Sequence, residues 1–374
     1  MKTLKKYILL VFLLENTIVS SKFGGFQWPF YAMLAIGSLL LFSEELWKKQ
    51  SFSECYPLYL WSGIYIVYQF TFGIETLSTH TLIYLVAKVI TFVIITVSVV
   101  SDWEYNTYIL PLFIAAAISA VLLSGISETS NLNSGDRLHL GFGNVNLTGS
   151  LGAICFAVVI FFWDKRHTWL FLFAGIIALY SVLASGSRNS LLYLAIMLLL
   201  WTRLSLKKIV TVAIILMGLL VVISYLPIQL AGIDHAKATI AGIEGSARDV
   251  EREATKIMIS ERPIEGWGYN AENTGYAAQI SKLGSHNGYL DTIKFMGYPF
   301  AILWFLILVI AVFPLLKFIR NGDNALCFHL TIVLSTMATA FFEGWFTGVH
   351  QINTNIMFYS LAILTTYSSR SKNQ

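Results

Sequence analysis

The chain has 374 residues, of which 56% are hydrophobic and 12% are charged, and its formal net charge is +4. Soluble globular domains carry about 25% charged residues, so this composition excludes an ordinary soluble enzyme and predicts an all-α, polytopic membrane protein. The sequence has no basic runs interleaved with aromatic residues, which argues against a nucleic-acid partner, and its three cysteines are too scattered for a disulfide framework or a metal site.

Twelve apolar stretches approach the roughly 20 residues that an α-helix needs to cross a bilayer. They predict a single integral membrane domain over residues 1–374 with about twelve transmembrane helices. The early lysines and the shortness of the first stretch also fit a signal peptide, but no small-residue cleavage site follows, so we interpret that stretch as a retained span. The stretches are Tyr7–Ser20, Trp28–Phe42, Tyr56–Phe72, Thr79–Val100, Tyr108–Leu123, Leu147–Trp163, Trp169–Ala184, Ser190–Trp201, Ile209–Leu226, Tyr298–Phe318, Ala325–Phe342 and Gln351–Thr366.

Lysines and arginines are unevenly divided between the two sets of loops that alternate along the chain. If the N-terminus is cytoplasmic, the short inward segments hold fourteen of these residues, whereas the short outward segments hold only Lys22, Arg137 and Arg188. Enrichment of positive charge on the cytoplasmic side is the rule for membrane proteins. Both termini are therefore predicted to be cytoplasmic, and in a bacterium with two membranes the outward loops face the periplasm.

Arg137 and Arg188 lie in short outward segments, where the positive-inside rule disfavours them. A lipid-headgroup contact or a helix cap would explain either residue alone. An anion-binding site would explain both, because the planar guanidinium group holds phosphate through two charge-assisted hydrogen bonds.

The segment Ala231–Lys294 is one long polar and charged excursion in an otherwise apolar chain. Irregular backbone is tolerated only outside the hydrocarbon or against a wet cavity. We therefore interpret this segment as a long periplasmic loop, and such loops commonly carry function.

The long loop contains a predicted helix, Ala247–Ser260. Arg248, Arg252 and Lys256 recur on it every four residues and form a cationic stripe, although a solvated helix face is the simpler interpretation of the last two. Pro263 predicts that the helix stops there. The apolar stripe on which the helix is expected to pack consists of Val250, Ala254 and Ile257.

His286 lies between two glycines, at the point where the long loop re-enters the membrane. A lone histidine is usually structural. Its setting, after a cationic helix and at the membrane edge, favours a chemical role.

Lys88 lies near the middle of the fourth apolar stretch, where a charge costs about 3 kcal/mol on insertion scales. It is predicted to face the interior of the bundle or a wet cavity, with either a structural or a catalytic role. Glu15 and Glu343 are candidate counter-charges. Glu343 precedes Gly344-Trp345-Phe346 at an outward membrane edge, so it is also a candidate to line a substrate site.

Four ordered segments on the outward side resemble motifs of the bacterial O-antigen ligase and polymerase superfamily. The chain departs from the family pattern at Val145, where proline is common, and at Arg252, where an aromatic residue is often found. The four segments are Asp136–Asn146 (Arg…Gly-Phe…Asn-Pro-Asn in the family), Ser185–Arg188 (Ser-Arg), Arg248–Gly268 (an arginine helix and Pro-x-x-Gly-x-Gly), and Ser285–Leu290 with Gly297 (His-Asn-x-x-Leu and glycine).

The resemblance implies a GT-C-like, all-helical glycosyltransferase at the periplasmic face of the bacterial inner membrane. Its donor would be a glycan linked to undecaprenyl pyrophosphate, the bacterial polyprenyl carrier. Its acceptor would be lipid A-core for a ligase or a lipid-linked repeat unit for a polymerase. No cofactor, nucleotide sugar or metal is implied, and the sequence contains no Asp-x-Asp motif and no metal-spaced histidine cluster.

The residues that match the motifs suggest roles in this reaction. We expect Arg188 and Arg248, with Arg137 as a third, to bind the pyrophosphate, and His286 to act on the acceptor as a general base or by orienting its hydroxyl group. Direct attack on the anomeric carbon would invert its configuration. Further candidates for contacts to the acceptor or to sugars are Asn146, Asn287, Trp267, Tyr269 and Glu343. A structural role as a helix cap explains either asparagine equally well.

Other functions remain open at the level of sequence. Ligation is favoured slightly over polymerisation, although both reactions need the same donor chemistry. A lipid or polysaccharide flippase belongs to a different class and often shows internal repeats and polar sites at the midplane of the bilayer, whereas this chain shows no repeat and its polar features cluster on the outward side. A regulatory protein with a sensor loop would not require Arg137, Arg188 and His286 together.

Overall fold

The computed structural model describes residues 2–24, 28–72, 79–126, 138–212, 214, 247–268, 285–348 and 351–373. Within these ranges the elements are helical, and one isolated antiparallel bridge between Ser21 and Phe142 is the only sheet-like pairing. The predicted all-α class is confirmed. Each predicted apolar stretch overlaps a helix; of Ile209–Leu226 only residues 209–212 and 214 are described, and these are helical.

The longer α-helices are connected by turns and by short helical pieces. The longer helices are Lys2–Val19, Trp28–Leu39, Tyr56–Thr71, Thr79–Ser101, Leu110–Ile126, Val145–Phe161, Thr168–Ser185, Arg188–Trp201, Ala247–Glu261, Gly288–Val312, Asn324–Thr339 and Ile352–Asn373. The short pieces are Leu40–Phe42, Glu44–Trp47, Lys49–Glu54, Tyr105–Ile109, Lys165–His167, Phe313–Lys317 and Phe318–Asn321. We call Ala247–Glu261 the arginine helix, Gly288–Val312 the kinked helix and Ile352–Asn373 the C-terminal helix.

The apolar helices are compatible with a membrane protein, but the predicted count of about twelve spanning helices is not confirmed. By length and composition, four helices in the described part can cross a membrane: Thr81–Ser101, Tyr105–Ile126, Lys165–Ser185 and Gly288–Asn321. Other apolar helices are shorter, and the 17 residues of Val145–Phe161 extend for only about 25 Å, against a hydrocarbon core of about 30 Å.

The C-terminal helix forms the centre of the bundle. Every residue from Ile352 to Thr366 is buried, although Asn353, Asn355 and Ser360 among them are polar. The helix Thr168–Ser185 is more apolar, yet Leu170 and Ile176 on it are 65% and 67% exposed. The central helix therefore buries polar side chains, whereas Thr168–Ser185 exposes aliphatic ones, as is expected of a helix that faces lipid.

At one end of the bundle, the predicted inward segments contact one another. Lys6 Nζ lies 2.8 Å from Asp102 Oδ2, and Arg370 donates two hydrogen bonds of 2.9 Å to the buried carboxylate of Glu54. Lys5 forms a close ion pair with Glu45. These contacts join the first and last helices to the loops between them, so the predicted inward loops form one surface.

The kinked helix begins at Gly288, ten residues before the predicted span, so the last residues of the predicted long loop are already helical. It is interrupted at Gly297, whose φ of 67° and ψ of 170° are not helical. The turn after the arginine helix packs into this interruption: Tyr298 donates its N–H to Pro263 O (2.8 Å), and Trp267 donates its N–H to Lys294 O (2.9 Å). The helix stop predicted at Pro263 is confirmed, since the arginine helix ends at Glu261.

Glycine is required at Gly297 because the two backbones approach so closely. A Cβ atom at Gly297 would lie 2.0 Å from Ile264 O, and one at Gly266 would lie 2.5 Å from Gly297 N. Both glycines also have positive φ, which other residues adopt at a cost. The spaced glycines of the sequence therefore dock the arginine helix onto the kinked helix.

The arginine helix does not pack on the apolar stripe that its sequence suggests. Of that stripe only Ala254 is buried, whereas Val250 and Ile257 are 56% and 50% exposed. The buried face instead consists of Glu251, Ala254, Thr255, Met258 and Ile259. Tertiary contacts have placed a carboxylate in the packed face and left two aliphatic side chains outside.

Candidate functional site

Four segments that are distant in sequence meet at the end of the bundle where the predicted outward loops lie. They are the start of the helix Val145–Phe161, the arginine helix, the turn that begins at Ser285, and residues 340–348, which we call the glutamate turn. Each contributes one side chain to a group that we call the histidine cluster, which consists of Asn146, Glu251, His286 and Glu343.

His286 lies in a tight turn immediately before the kinked helix. Its backbone is left-handed, with a φ of 49°. Ser285 donates its backbone N–H to Asp291 Oδ1 (3.0 Å) and its hydroxyl to the Asn287 carbonyl (3.0 Å). The Asn287 side chain then caps the kinked helix by accepting two backbone N–H groups of the first turn. These bonds hold the imidazole in place while 29% of its side-chain surface remains exposed.

Two carboxylates flank the imidazole, one at each ring nitrogen. His286 Nε2 lies 3.6 Å from Glu251 Oε2, and Nδ1 lies 3.6 Å from Glu343 Oε2. Both distances exceed the 2.7–3.2 Å typical of a hydrogen bond, and the two contacts become ion pairs only when the imidazole is protonated. Both carboxylates are buried, and an imidazolium formed when the ring gains a proton would face negative charge on both sides.

Glu343 is positioned by contacts to two other segments. Its Oε1 accepts a hydrogen bond of 2.6 Å from Asn146 Nδ2, which fixes one edge of the carboxylate. Its carbonyl accepts the backbone N–H of Gly288 (3.0 Å), so the glutamate turn is bonded to the residue at which the kinked helix begins. Because Oε1 is occupied by the amide, Oε2 is the oxygen that faces the imidazole.

Lys88 holds the far side of the glutamate turn. Its ammonium group, in a residue that is 1% exposed, donates to Gly348 O (2.6 Å) and Phe346 O (3.3 Å) and lies 5.3 Å from the centre of the Phe358 ring. The partners are therefore carbonyl oxygens and an aromatic ring, and not the carboxylates of Glu15 or Glu343 that the sequence suggested. A buried charge is tolerated here because backbone acceptors surround it.

Asn146 and Arg188 lie on neighbouring helix starts. Ser190, in the first turn of the helix that begins at Arg188, donates its hydroxyl to Asn146 O (3.4 Å). Arg188 is exposed at the first position of its helix, and Ser187 caps that helix by accepting from Ser190 N (3.4 Å). The partial positive charge of a helix N-terminus adds to that of the guanidinium group, so this end of the bundle is suited to an anion.

The structure bears on the other predicted site residues to different extents. Arg137 and Tyr269 lie outside the described residues, and Arg248 is placed only by its position on the arginine helix. Asn287 acts as a helix cap. Trp267 donates its indole N–H to Met258 O (2.7 Å) and stacks with Arg262, whose guanidinium carbon lies 4.4 Å from the ring centre.

Glu251 is the member of the histidine cluster that the sequence did not single out. It shares the first turns of the arginine helix with a second carboxylate, Asp249. Nothing in the helical pattern distinguishes the two, because no periodicity shows that the helix packs on the His286 turn.

A histidine held by carboxylates is the arrangement that accepts a proton from a hydroxyl nucleophile, because one carboxylate orients the ring and stabilises the charge that forms. Within the described ranges, no set of three or more histidine, cysteine, aspartate or glutamate side chains is arranged to hold a metal ion. No protein-family model and no curated protein matches this chain.

Proposed function

We propose that this chain is an inverting glycosyltransferase that moves a glycan from undecaprenyl pyrophosphate to a saccharide hydroxyl at the periplasmic face of the bacterial inner membrane. The observation that carries the proposal is the histidine cluster, in which two buried carboxylates flank a partly exposed imidazole. The resemblance of four motifs to the O-antigen ligase and polymerase superfamily supports the same reaction, the GT-C-like architecture and the orientation with both termini in the cytoplasm.

In the proposed reaction the acceptor oxygen attacks the anomeric carbon of the donor. The bond from that carbon to the pyrophosphate oxygen breaks, and undecaprenyl pyrophosphate leaves with the electron pair. His286 takes the hydroxyl proton, and a general base of this kind contributes about 10²–10⁴-fold in rate. Arg188 and Arg248, with Arg137, stabilise the departing anion, and preorganised cations of this kind are commonly the largest catalytic contribution.

Glu251 and Glu343 have different parts in this scheme. Glu343 is bonded to Asn146 and orients the ring through Nδ1. Glu251 Oε2 is buried and makes no hydrogen bond within the described part of the chain, so it is the group that can give way to the acceptor hydroxyl at Nε2. After proton transfer it faces the imidazolium.

We propose lipid A-core as the acceptor, which makes the reaction O-antigen ligation; extension of a lipid-linked repeat unit by a polymerase is the alternative. Deletion of the gene followed by gel analysis of the surface glycans distinguishes the two. Full-length chains that accumulate unattached indicate a ligase, whereas single repeat units on the core indicate a polymerase.

Transfer by the purified protein tests the enzyme class. In detergent, the protein is expected to transfer glycan from its pyrophosphate carrier to an acceptor, and His286→Ala is expected to lose this activity while it inserts and purifies normally. A flippase cannot act in this assay, because detergent provides no second leaflet. Absence of transfer by the parent protein, or full transfer by His286→Ala, would count against the proposal.

A further inference from the structure

Arg252 has a hydrogen-bonding group that nothing in the described part of the chain satisfies. The residue is partly buried, and its Nε atom is shielded from solvent without a hydrogen-bond acceptor. Among the described residues, the carboxylate within ion-pair distance is that of Asp249, at 4.0 Å from Nη1, on a side chain that is 68% exposed. A shielded N–H of a charged group without a partner is costly, so this edge of the guanidinium group is suited to a ligand.

The other described cations of this region are engaged. Lys256, on the same helix, forms an ion pair of 2.6 Å with Glu253. Arg262 stacks on Trp267. Arg252 therefore differs from both in keeping an unsatisfied donor.

Arg252 is the next residue after a member of the histidine cluster on the arginine helix. It follows Glu251, whose carboxylate faces His286 Nε2. It also lies four residues after Arg248, so both arginines occupy the same side of the helix, one turn apart.

The charge of the carrier shows that the pyrophosphate does not require Arg252. A pyrophosphate that links a sugar to a polyprenyl chain has one negative charge on each phosphate. The proposed function already assigns three arginines to this group: Arg137, Arg188 and Arg248. The additional guanidinium group of Arg252, on the same helix, is therefore suited to an additional anion.

We infer that Arg252 binds an acidic group of the transferred or the accepting sugar, either a carboxylate or a phosphate monoester, through its Nε edge. This inference rests on the proposed function and specifies its substrate class. The planar fork of arginine favours two parallel hydrogen bonds to such an oxyanion. Arg252 would then determine specificity, whereas the cluster at His286 performs the transfer.

The test uses the full-length protein with native substrates purified from cells that lack this gene. The probes are lipid-linked glycan and acceptor, each used untreated or after carbodiimide–borohydride reduction and phosphatase treatment. The treatment removes carboxylates and phosphate monoesters and leaves the pyrophosphate link intact. The two treated arms show whether the acidic group belongs to the donor or to the acceptor.

Arg252→Gln is expected to lower kcat/KM at least about tenfold with untreated substrates, in line with the loss of a charged hydrogen bond, and to equal the parent when the acidic substrate is neutralised. Lys256→Gln, on the exposed face of the same helix, is the matched control and is expected to equal the parent in every arm. The inference is overturned if Arg252→Gln loses the same activity with untreated and neutralised substrates, or if it loses none. It is also overturned if the activity of the parent is unchanged by both treatments. Each of these outcomes leaves the proposed function intact. A parent that transfers nothing from untreated donor overturns both.

Discussion

His286 combines a left-handed backbone with a side chain held between two carboxylates. For residues other than glycine, that backbone conformation costs roughly 1–2 kcal/mol. It persists here because the bonds of Ser285 and the cap at Asn287 determine the turn. Strain retained at a partly exposed titratable residue is typical of functional sites, and it supports a chemical role at the scale of the single residue.

Glu251→Gln tests whether the second carboxylate contributes to catalysis. The substitution keeps the shape of the side chain and removes the negative charge that faces Nε2, so we expect kcat to fall about tenfold or more with little change in KM. Kinetics of glycan transfer in detergent provide the measurement. Glu253→Gln on the exposed side of the same helix is the control, and similar kinetics for the two variants would remove Glu251 from the mechanism.

Arg188→Lys tests how the proposed pyrophosphate contact is made. Lysine keeps the positive charge at the helix start but loses the two parallel donors of the guanidinium group. We expect kcat/KM to fall about tenfold, the equivalent of one charged hydrogen bond. Arg166→Lys, at an exposed position in the predicted inward loop 164–168, serves as control. Parent-like activity of Arg188→Lys would rule out bidentate binding.

At the scale of elements, the kinked helix connects the turn at His286 to the arginine helix. The helix begins at Gly288, which is hydrogen-bonded to Glu343, and it is interrupted at Gly297, where the turn Pro263–Gly268 packs against it. Tyr68 adds a further bond, from its hydroxyl to Glu265 O (2.8 Å). The distance between His286 and Glu251 therefore depends on a backbone contact made about ten residues away.

Gly297→Ala is expected to weaken that contact. The new methyl group would lie 2.0 Å from Ile264 O, and the φ of 67° disfavours alanine, so we expect a loss of roughly 2–4 kcal/mol in the free energy of unfolding. Thermal unfolding in detergent gives the measurement. Gly63→Ala is the matched control, because a Cβ atom there meets nothing within 4 Å. Equal unfolding temperatures for the two variants would contradict this account of the kink.

At the scale of the whole molecule, ion pairs at the end opposite the histidine cluster join the termini to the rest of the bundle. The Lys5 ammonium group, together with the Ser43 hydroxyl, lowers the pKa of Glu45 from 4.5 to about 2. The ionised carboxylate is thus favoured in the folded state. Its contribution to stability is complete above pH 4.5 and is lost as the pH falls from there towards 2.

The pH dependence of unfolding tests this contribution. Between pH 6 and pH 3 the unfolding temperature of the parent protein in detergent is expected to fall more steeply than that of Glu45→Gln, because the variant has no carboxylate to protonate at this position. Glu44→Gln, at the neighbouring exposed residue, is the control and is expected to keep the parent slope. Identical slopes for all three proteins would show that the ion pair does not contribute to stability.

The amino-acid pattern alone predicts the all-α class and the positions of most helices, and it names His286, Asn146 and Glu343 as candidate site residues. Hydrophobic periodicity and turn residues act locally, so they are readable from a single chain. The glycines that dock the arginine helix were visible as a spaced pattern, although their partner Gly297 was not identified as a kink.

Which charged side chains contact one another depends on tertiary packing. The burial of Glu251 against His286, and the choice of backbone carbonyls as partners for Lys88, depend on contacts between segments separated by tens to hundreds of residues. The same holds for the helices, because hydropathy along the chain does not show that Ile352–Thr366 is central and that the more apolar Thr168–Ser185 is peripheral. Local sequence patterns specify which segments are helical, whereas packing specifies which side chains come into contact. The candidate site consists of such contacts between distant segments.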